Sequence, residues 1–234
     1  MPEKIVMAWS GGKDSAMAYR AVAADSRYEI VAVLTTVTGQ YDRISMHGVR
    51  RDLLEAQARM LGKPLEQVVI SPQASNVEYE QQMARALAKF KTQGVAAVGF
   101  GDLFLQDVRK YREEKMAQTG MRPVFPVWGL DTRKFAQDFI EAGFKAVLTC
   151  VDGQQLNGKF AGREYDQSLL EELPPGVDPC GENGEFHTFV YAGPIFAKPI
   201  PIRRGEVVLR DNRFWYCDFL PAQARSNSSR DERR

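Results

Sequence analysis

The feature that most narrows what this chain can fold into is the rhythm of its first half, where brief apolar runs alternate with stretches of helical period. Lys4 to Trp9, Glu29 to Val37, Leu65 to Ile70 and Val95 to Phe100 read as strands. Strands of this kind joined through helices predict a parallel sheet covered on both faces. The helices carry their own punctuation. Ser75 with Glu78 makes a capping-box pattern, after which Val77, Met83, Leu87 and Phe90 recur at helical spacing until Gly94. A second helix is expected from Gly48 to Leu61 on a stripe of Val49, Leu53, Ala56 and Met60, with Gly62 and Pro64 as its stop. Leu103 to Thr119 reads as a third, heavily charged helix. Thr132 is expected to cap a fourth that reaches Ala142, and Gly143 leads into a strand at Ala146 to Cys150.

After Asp152 glycine and proline become frequent and the alternation is lost. Thr188 to Tyr191, Glu206 to Arg210 and Arg213 to Phe219 read as strands of a mixed or antiparallel patch, with one short helix near Asp166 to Glu172. The expectation is an α/β fold, a Rossmann-like parallel sheet with helices on both faces, followed by a smaller α+β C-terminal region. The division falls at 1–130, 131–221 and a disordered tail at 222–234 that lacks large apolar residues. With 234 residues, 44% hydrophobic, 26% charged and a formal charge of +1, the totals exclude a disordered chain and give no strong nucleic-acid signal. No apolar run reaches bilayer length, and MPEKIVMAWSGG is too short in its apolar part for a secretory signal, so a cytoplasmic protein without membrane partners is expected. Three cysteines, far apart and odd in number, fit neither a disulfide framework nor a paired zinc site.

Directly after the first strand stand Ser10, Gly11, Gly12, Lys13, Asp14 and Ser15, opening a helix that runs through Ala24. Two glycines let backbone approach an anion, and the helix start points unpaired N–H groups and a positive dipole end at it. Lys13 adds a charge, and Ser10 and Ser15 add hydroxyls. A tight turn with Asp14 capping the helix is the plainer alternative. The spacing is neither that of a Walker loop nor that of the dinucleotide fingerprint.

SGGKDS after a first strand resembles the signature of the PP-loop ATP pyrophosphatase superfamily, of the HUP fold class, whose members cleave ATP between its α and β phosphates. GFGDLFLQDVRKYREEKMAQTGMRPVFPVWG, TCVD and DPCGENGEFHTFVYAGPIF further resemble the diphthine–ammonia ligase family and its bacterial relatives, over residues 4 to 220. The resemblance implies an ATP- and Mg²⁺-dependent ligase that adenylates a carboxylate and transfers ammonia to it. Its acceptor is diphthine on elongation factor 2 or a small molecule such as a cobalamin-salvage metabolite, with ammonium or an external donor as nitrogen source. It also implies self-association as a homodimer. In the family's EGGE-type motif a third acid stands where this chain has His187; Glu182, Gly184, Glu185, Phe186 and Thr188 fit. An RNA-base adenylase and a non-catalytic ATP-binding module are the alternatives, the first disfavoured by neutral charge and the lack of paired cysteines.

From the residues themselves, Glu182, Glu185 and His187 gather titratable groups in a glycine-rich loop before a strand, a pattern suited to holding Mg²⁺, orienting ammonium or moving its proton. A solvated surface loop is the alternative. Gly101 and Asp102 follow a parallel strand, where open α/β sheets place ligands, and Asp102 doubles as a helix cap. Arg109, Arg112 and Glu113 follow on that helix as candidate substrate-binding residues, an arginine there being able to reach phosphate or a substrate carboxylate, against a solvated ion-pair face. Thr35 and Thr36 end the second strand, where they could meet the adenosine, and His47 beyond it reads as a helix-start residue with nucleotide or substrate contact as the alternative. Cys180 reads as a packing residue, and Phe100, Phe104, Phe125 and Trp128 as core.

Overall fold

In a computed structural model the described residues are 1–39, 48–71 and 74–222, together with the backbone of 43–44. His47 and the tail from 223 onward therefore lie outside the described residues. The N-terminal sheet is built from β1 (Glu3–Ala8), β2 (Tyr28–Thr38), β4 (Leu65–Ile70), β5 (Ala97–Gly99) and β6 (Arg122–Val124), all parallel, in the spatial order β4-β2-β1-β5-β6. A two-residue strand, β3 (Arg43–Ile44), runs antiparallel to the end of β2. The chain turns outward from β1 in both directions, so the crevice at the carboxyl ends of β1 and β5 is the topological switch point where such sheets bind ligands.

Alternation along the strands sets the layers. Ile5 and Met7 of β1 face one core together with α1 (Lys13–Ala23), α2 (Arg51–Leu61) and α5 (Thr132–Glu141). Val6, with Leu34, Val68 and Val98, faces the other, covered by α3 (Asn76–Thr92) and α4 (Gln106–Thr119). The C-terminal region is a four-stranded antiparallel sheet in the order β8-β7-β10-β9, from β7 (Lys145–Asp152), β8 (Phe186–Ala192), β9 (Ile202–Arg210) and β10 (Phe214–Pro221), with the short α6 (Gln167–Glu172) beside it. It shares the first core: Ala146, Leu148, Phe186 and Phe189 join Trp9, Met17, Leu53 and Phe139 in one cluster. Phe135, Phe139, Phe160, Phe186 and Phe189 are fully buried, and truncating one such ring to alanine costs about 3–5 kcal/mol.

Several boundaries depart from the sequence reading for local reasons. The helix expected from Leu103 starts at Gln106, because Leu103 is buried and its carbonyl accepts the Gly129 N–H; Asp102 is therefore not its cap. The helix expected from Gly48 starts at Arg51, and its buried stripe is Leu53, Leu54, Gln57, Ala58 and Leu61. Ser75 caps α3 through the Glu78 N–H as expected, but the Glu78 carboxylate turns to Ser71, and Val77 is exposed. Asp131 caps α5, while Thr132 donates its hydroxyl to Asp178. Asp14 does not cap α1; Gly12 holds that position. Of the four aromatics read as core, Phe100 is buried and Phe104 is exposed. Among the described residues no helix is long and apolar enough to cross a membrane.

Candidate active site

The loop between β1 and α1 is held in place by backbone and side chains that are distant in sequence. Gly11 takes φ +79°, and a Cβ there would stand 2.6 Å from Gln57 Oε1. Its carbonyl accepts from the Val190 N–H at 2.9 Å and from Gln57 Nε2 at 2.9 Å. The Lys13 N–H donates to Thr188 Oγ1 at 3.1 Å, and the Ser15 hydroxyl donates to the Gly12 carbonyl at 2.9 Å. On the other side Gly101 brings the β5–α4 loop against α1: a Cβ at Gly101 would lie 2.8–2.9 Å from the Asp14 and Ser15 backbone.

Lys13 is 3% exposed, and its ammonium bridges both Asp14 carboxylate oxygens at 2.7 and 2.9 Å. Burial alone would lower its pKa, but the charges of Asp14 and Glu182 outweigh that and hold it above the ordinary lysine value. The ammonium is thus a permanent buried cation at the start of α1.

These residues form one end of a cleft of about 1230 Å³ at the sheet's switch point. Ser10, Gly12, Lys13, Asp14 and Ser15 line its floor, with Thr35 and Thr36 from the end of β2. Gly101, Asp102 and Arg112 come from the β5–α4 side, Glu182 and Gly184 from the loop before β8, and His187 and Thr188 from the start of β8 itself. The volume exceeds the usual range for one drug-sized ligand, which suits two reactants side by side. A further wall was not anticipated from sequence: Met83 of α3 and Tyr111 and Met116 of α4 line an apolar arm, bridged by Glu80 and Lys115 at 2.7 Å.

The acidic loop divides its labour. Glu182 lines the cleft, and its carboxyl is pushed up to about 8 by burial and then by the negative charge of Asp14, against the pull of Lys13. Glu185, expected beside it as a catalytic group, turns inward instead. It is 2% exposed, and its oxygens accept from the Asp178 N–H at 2.9 Å, the Asn183 N–H at 2.9 Å and the Asn183 amide at 3.0 Å. Its position is that of a loop staple. Burial, and then the positive charge of Lys13, bring His187 down to about 4, which favours the neutral ring. Cys180 is buried, its thiol is pushed up to about 12 by burial, and it donates to the Thr132 carbonyl, as a packing residue does.

The three candidates on α4 separate. Arg112 lines the cleft, pairs with Asp102 at 3.0 Å and stacks over Phe100. Arg109 pairs with Glu113 at 2.8 Å and lies over Phe125 and Trp128, and neither Arg109 nor Glu113 lines the cleft. For these two the solvated ion-pair face is the arrangement found. Gln57, which holds the loop between β1 and α1, and Trp9, which holds Gln57, were not singled out from sequence; the available signal was a polar residue four positions after Leu53, on the buried stripe of α2.

The diphthamide synthase N-terminal domain matches residues 3–123 and the diphthamide synthase C-terminal domain matches residues 131–220. A diphthine–ammonia ligase of Schizosaccharomyces pombe is 26% identical, with 88% of this chain and 37% of that protein covered, so the chain spans well under half of that relative. The Danio rerio diphthine–ammonia ligase is 26% identical over 93% of each chain, and the Homo sapiens one 28% identical over 86% of this chain and 83% of its own. Matched by family domains over nearly its whole described length, the chain belongs to the diphthamide synthase family, a family of C–N-bond-forming ligases.

Proposed function

We propose that this chain is a cytoplasmic ATP-dependent ligase that adenylates a substrate carboxylate and transfers ammonia to it, releasing AMP and pyrophosphate. The observation that carries the reading is the convergence in one cleft of a buried lysine, in a glycine-bearing loop at a helix start, with the Glu182 carboxyl. Lys13 and the N–H groups at the start of α1 hold the phosphates and take up charge as pyrophosphate leaves. Arg112 stands where it can pair with the acceptor's carboxylate, and His187 offers a neutral ring for a hydrogen bond. Glu182, whose carboxyl is raised by burial, takes the proton released as nitrogen attacks the activated carbonyl.

The ion proposed is Mg²⁺ that enters with the triphosphate and takes phosphate oxygens as ligands. Mg²⁺ bound that way supplies charge neutralisation at the phosphates. The relatives' names give diphthine and ammonia as the reactants of those proteins; for this chain the proposed acceptor is a carboxylate of that class, on elongation factor 2 or on a small molecule.

The test is product analysis of α-labelled ATP with Mg²⁺, ammonium and either diphthine-bearing elongation factor 2 or fractionated cell extract. Label released as AMP only when Lys13 and an acceptor are both present supports the reading. Label released as ADP, or AMP formed equally by Lys13→Ala, overturns it.

A further inference from the structure

We infer that Gln57 is a positioning residue for the nucleotide loop: its amide fixes the peptide between Gly11 and Gly12 so that the carbonyl faces the protein and the N–H faces the phosphate. This rests on the reading of Ser10 to Ser15 as the phosphate cradle.

Gln57 is fully buried on α2, where an unsatisfied amide would be costly. It is tied on both of its polar atoms. Nε2 donates to the Gly11 carbonyl at 2.9 Å and to the Val190 carbonyl at 2.6 Å, while Oε1 accepts from the Trp9 indole N–H at 2.9 Å. Only one orientation of the amide satisfies these neighbours. Exchanging oxygen and nitrogen would set an acceptor against two carbonyls and a donor against an N–H. Trp9 therefore selects the orientation, and Gln57 passes it to the loop.

The Gly11 carbonyl receives a second donor, the Val190 N–H at 2.9 Å, and is anchored toward α2 and β8. The Gly11–Gly12 peptide is trans and planar, so its N–H points the opposite way. There it meets Ser10 Oγ at 3.3 Å at the floor of the cleft. A rotated peptide would instead put a carbonyl oxygen, the negative end of the dipole, against the phosphates. Gly11 and Gln57 are also matched in space. The positive φ of Gly11 and its missing Cβ leave the room that Gln57 Oε1 occupies. A neutral donor is what the site requires; a carboxylate of the same shape offers acceptors alone.

The test uses the full chain and two near-isosteric variants, Gln57→Met and Gln57→Glu, with titration of a non-hydrolysable ATP analogue and Mg²⁺, and steady-state AMP formation against ATP and against ammonium. Each variant is expected to lose about tenfold or more in analogue affinity and to raise KM for ATP while KM for ammonium stays within twofold. For Gln57→Glu the affinity should recover as pH falls toward about 5, because a protonated buried carboxyl regains one donor for the Gly11 carbonyl; Gln57→Met should show no such recovery. Should the Met variant fail to fold, the pH response of the Glu variant decides. Analogue affinity within twofold of the parent in a folded variant, or a Glu variant with no recovery, overturns the inference and leaves the proposed function standing. A parent protein that does not bind the analogue at all overturns both.

Discussion

Lys13 and Asp14 form an ion pair at the floor of the cleft, and truncating one partner leaves the other charge without its counter-ion. Lys13→Ala is expected to lower AMP formation by about 10²–10³-fold, the range seen when one preorganised charge or donor is removed, with circular dichroism checking that the fold persists. Glu182 acts at the other side of the same charges. If it accepts the amine proton it must be ionised, so activity should climb as pH rises through about 8, and Glu182→Gln should lose that rise; a variant with the parent's pH profile would take the role from Glu182. His187 gives a stability effect with a definite sign. Its folded pKa, about 4, lies below the unfolded value near 6.5, so the unfolded chain binds the extra proton between them and stability is lost as pH falls through that window. The melting temperature should drop on the order of 5 °C between about pH 6.5 and 4, and His187→Gln should flatten the drop.

At the scale of elements, the loop from Asp178 to Glu185 is organised from within. The Asp178 carboxylate accepts from the Cys180 N–H and the Thr132 hydroxyl, and Glu185 gathers the Asp178 N–H, the Asn183 N–H and the Asn183 amide. Glu185→Ala should therefore cost about 2–3 kcal/mol and roughly 5–10 °C in a thermal melt, where a solvated surface carboxylate would cost almost nothing. Sequence had offered Glu185 as catalytic, because an acid in a glycine-rich loop looks the same whether it faces solvent, substrate or its own backbone. Most strands and helices were legible because period and capping are local: β4 was bounded from sequence as Leu65 to Ile70, and the Ser75 cap of α3 is present, whereas the three-residue β6 is too short to show a period and was not read. The start of α4 was less so, since Leu103 is drawn into the core by a partner at Gly129. Gln57 was illegible for the same reason, because what buries it includes a carbonyl of β8, 133 positions further on.

At the scale of the molecule, both sheets draw on one core, with Phe139 and Phe189 in the same cluster as Ile5 and Leu53. Unfolding followed by calorimetry should show a single cooperative transition, and residues 1–130 alone should not give a folded monomer, since the antiparallel sheet that covers α1 and α2 would be missing. Two separate transitions would contradict the shared core. Strand β8 follows directly on the loop that carries Glu182 and supplies the Thr188 hydroxyl and Val190 N–H that hold the loop between β1 and α1. That has a bearing on how such proteins diversify. The C-terminal half cannot be exchanged wholesale for an unrelated one, because the replacement would have to bring matching anchors for the loop between β1 and α1. Variation is open to this architecture where the cleft wall carries no such anchor, with β8 itself inherited intact.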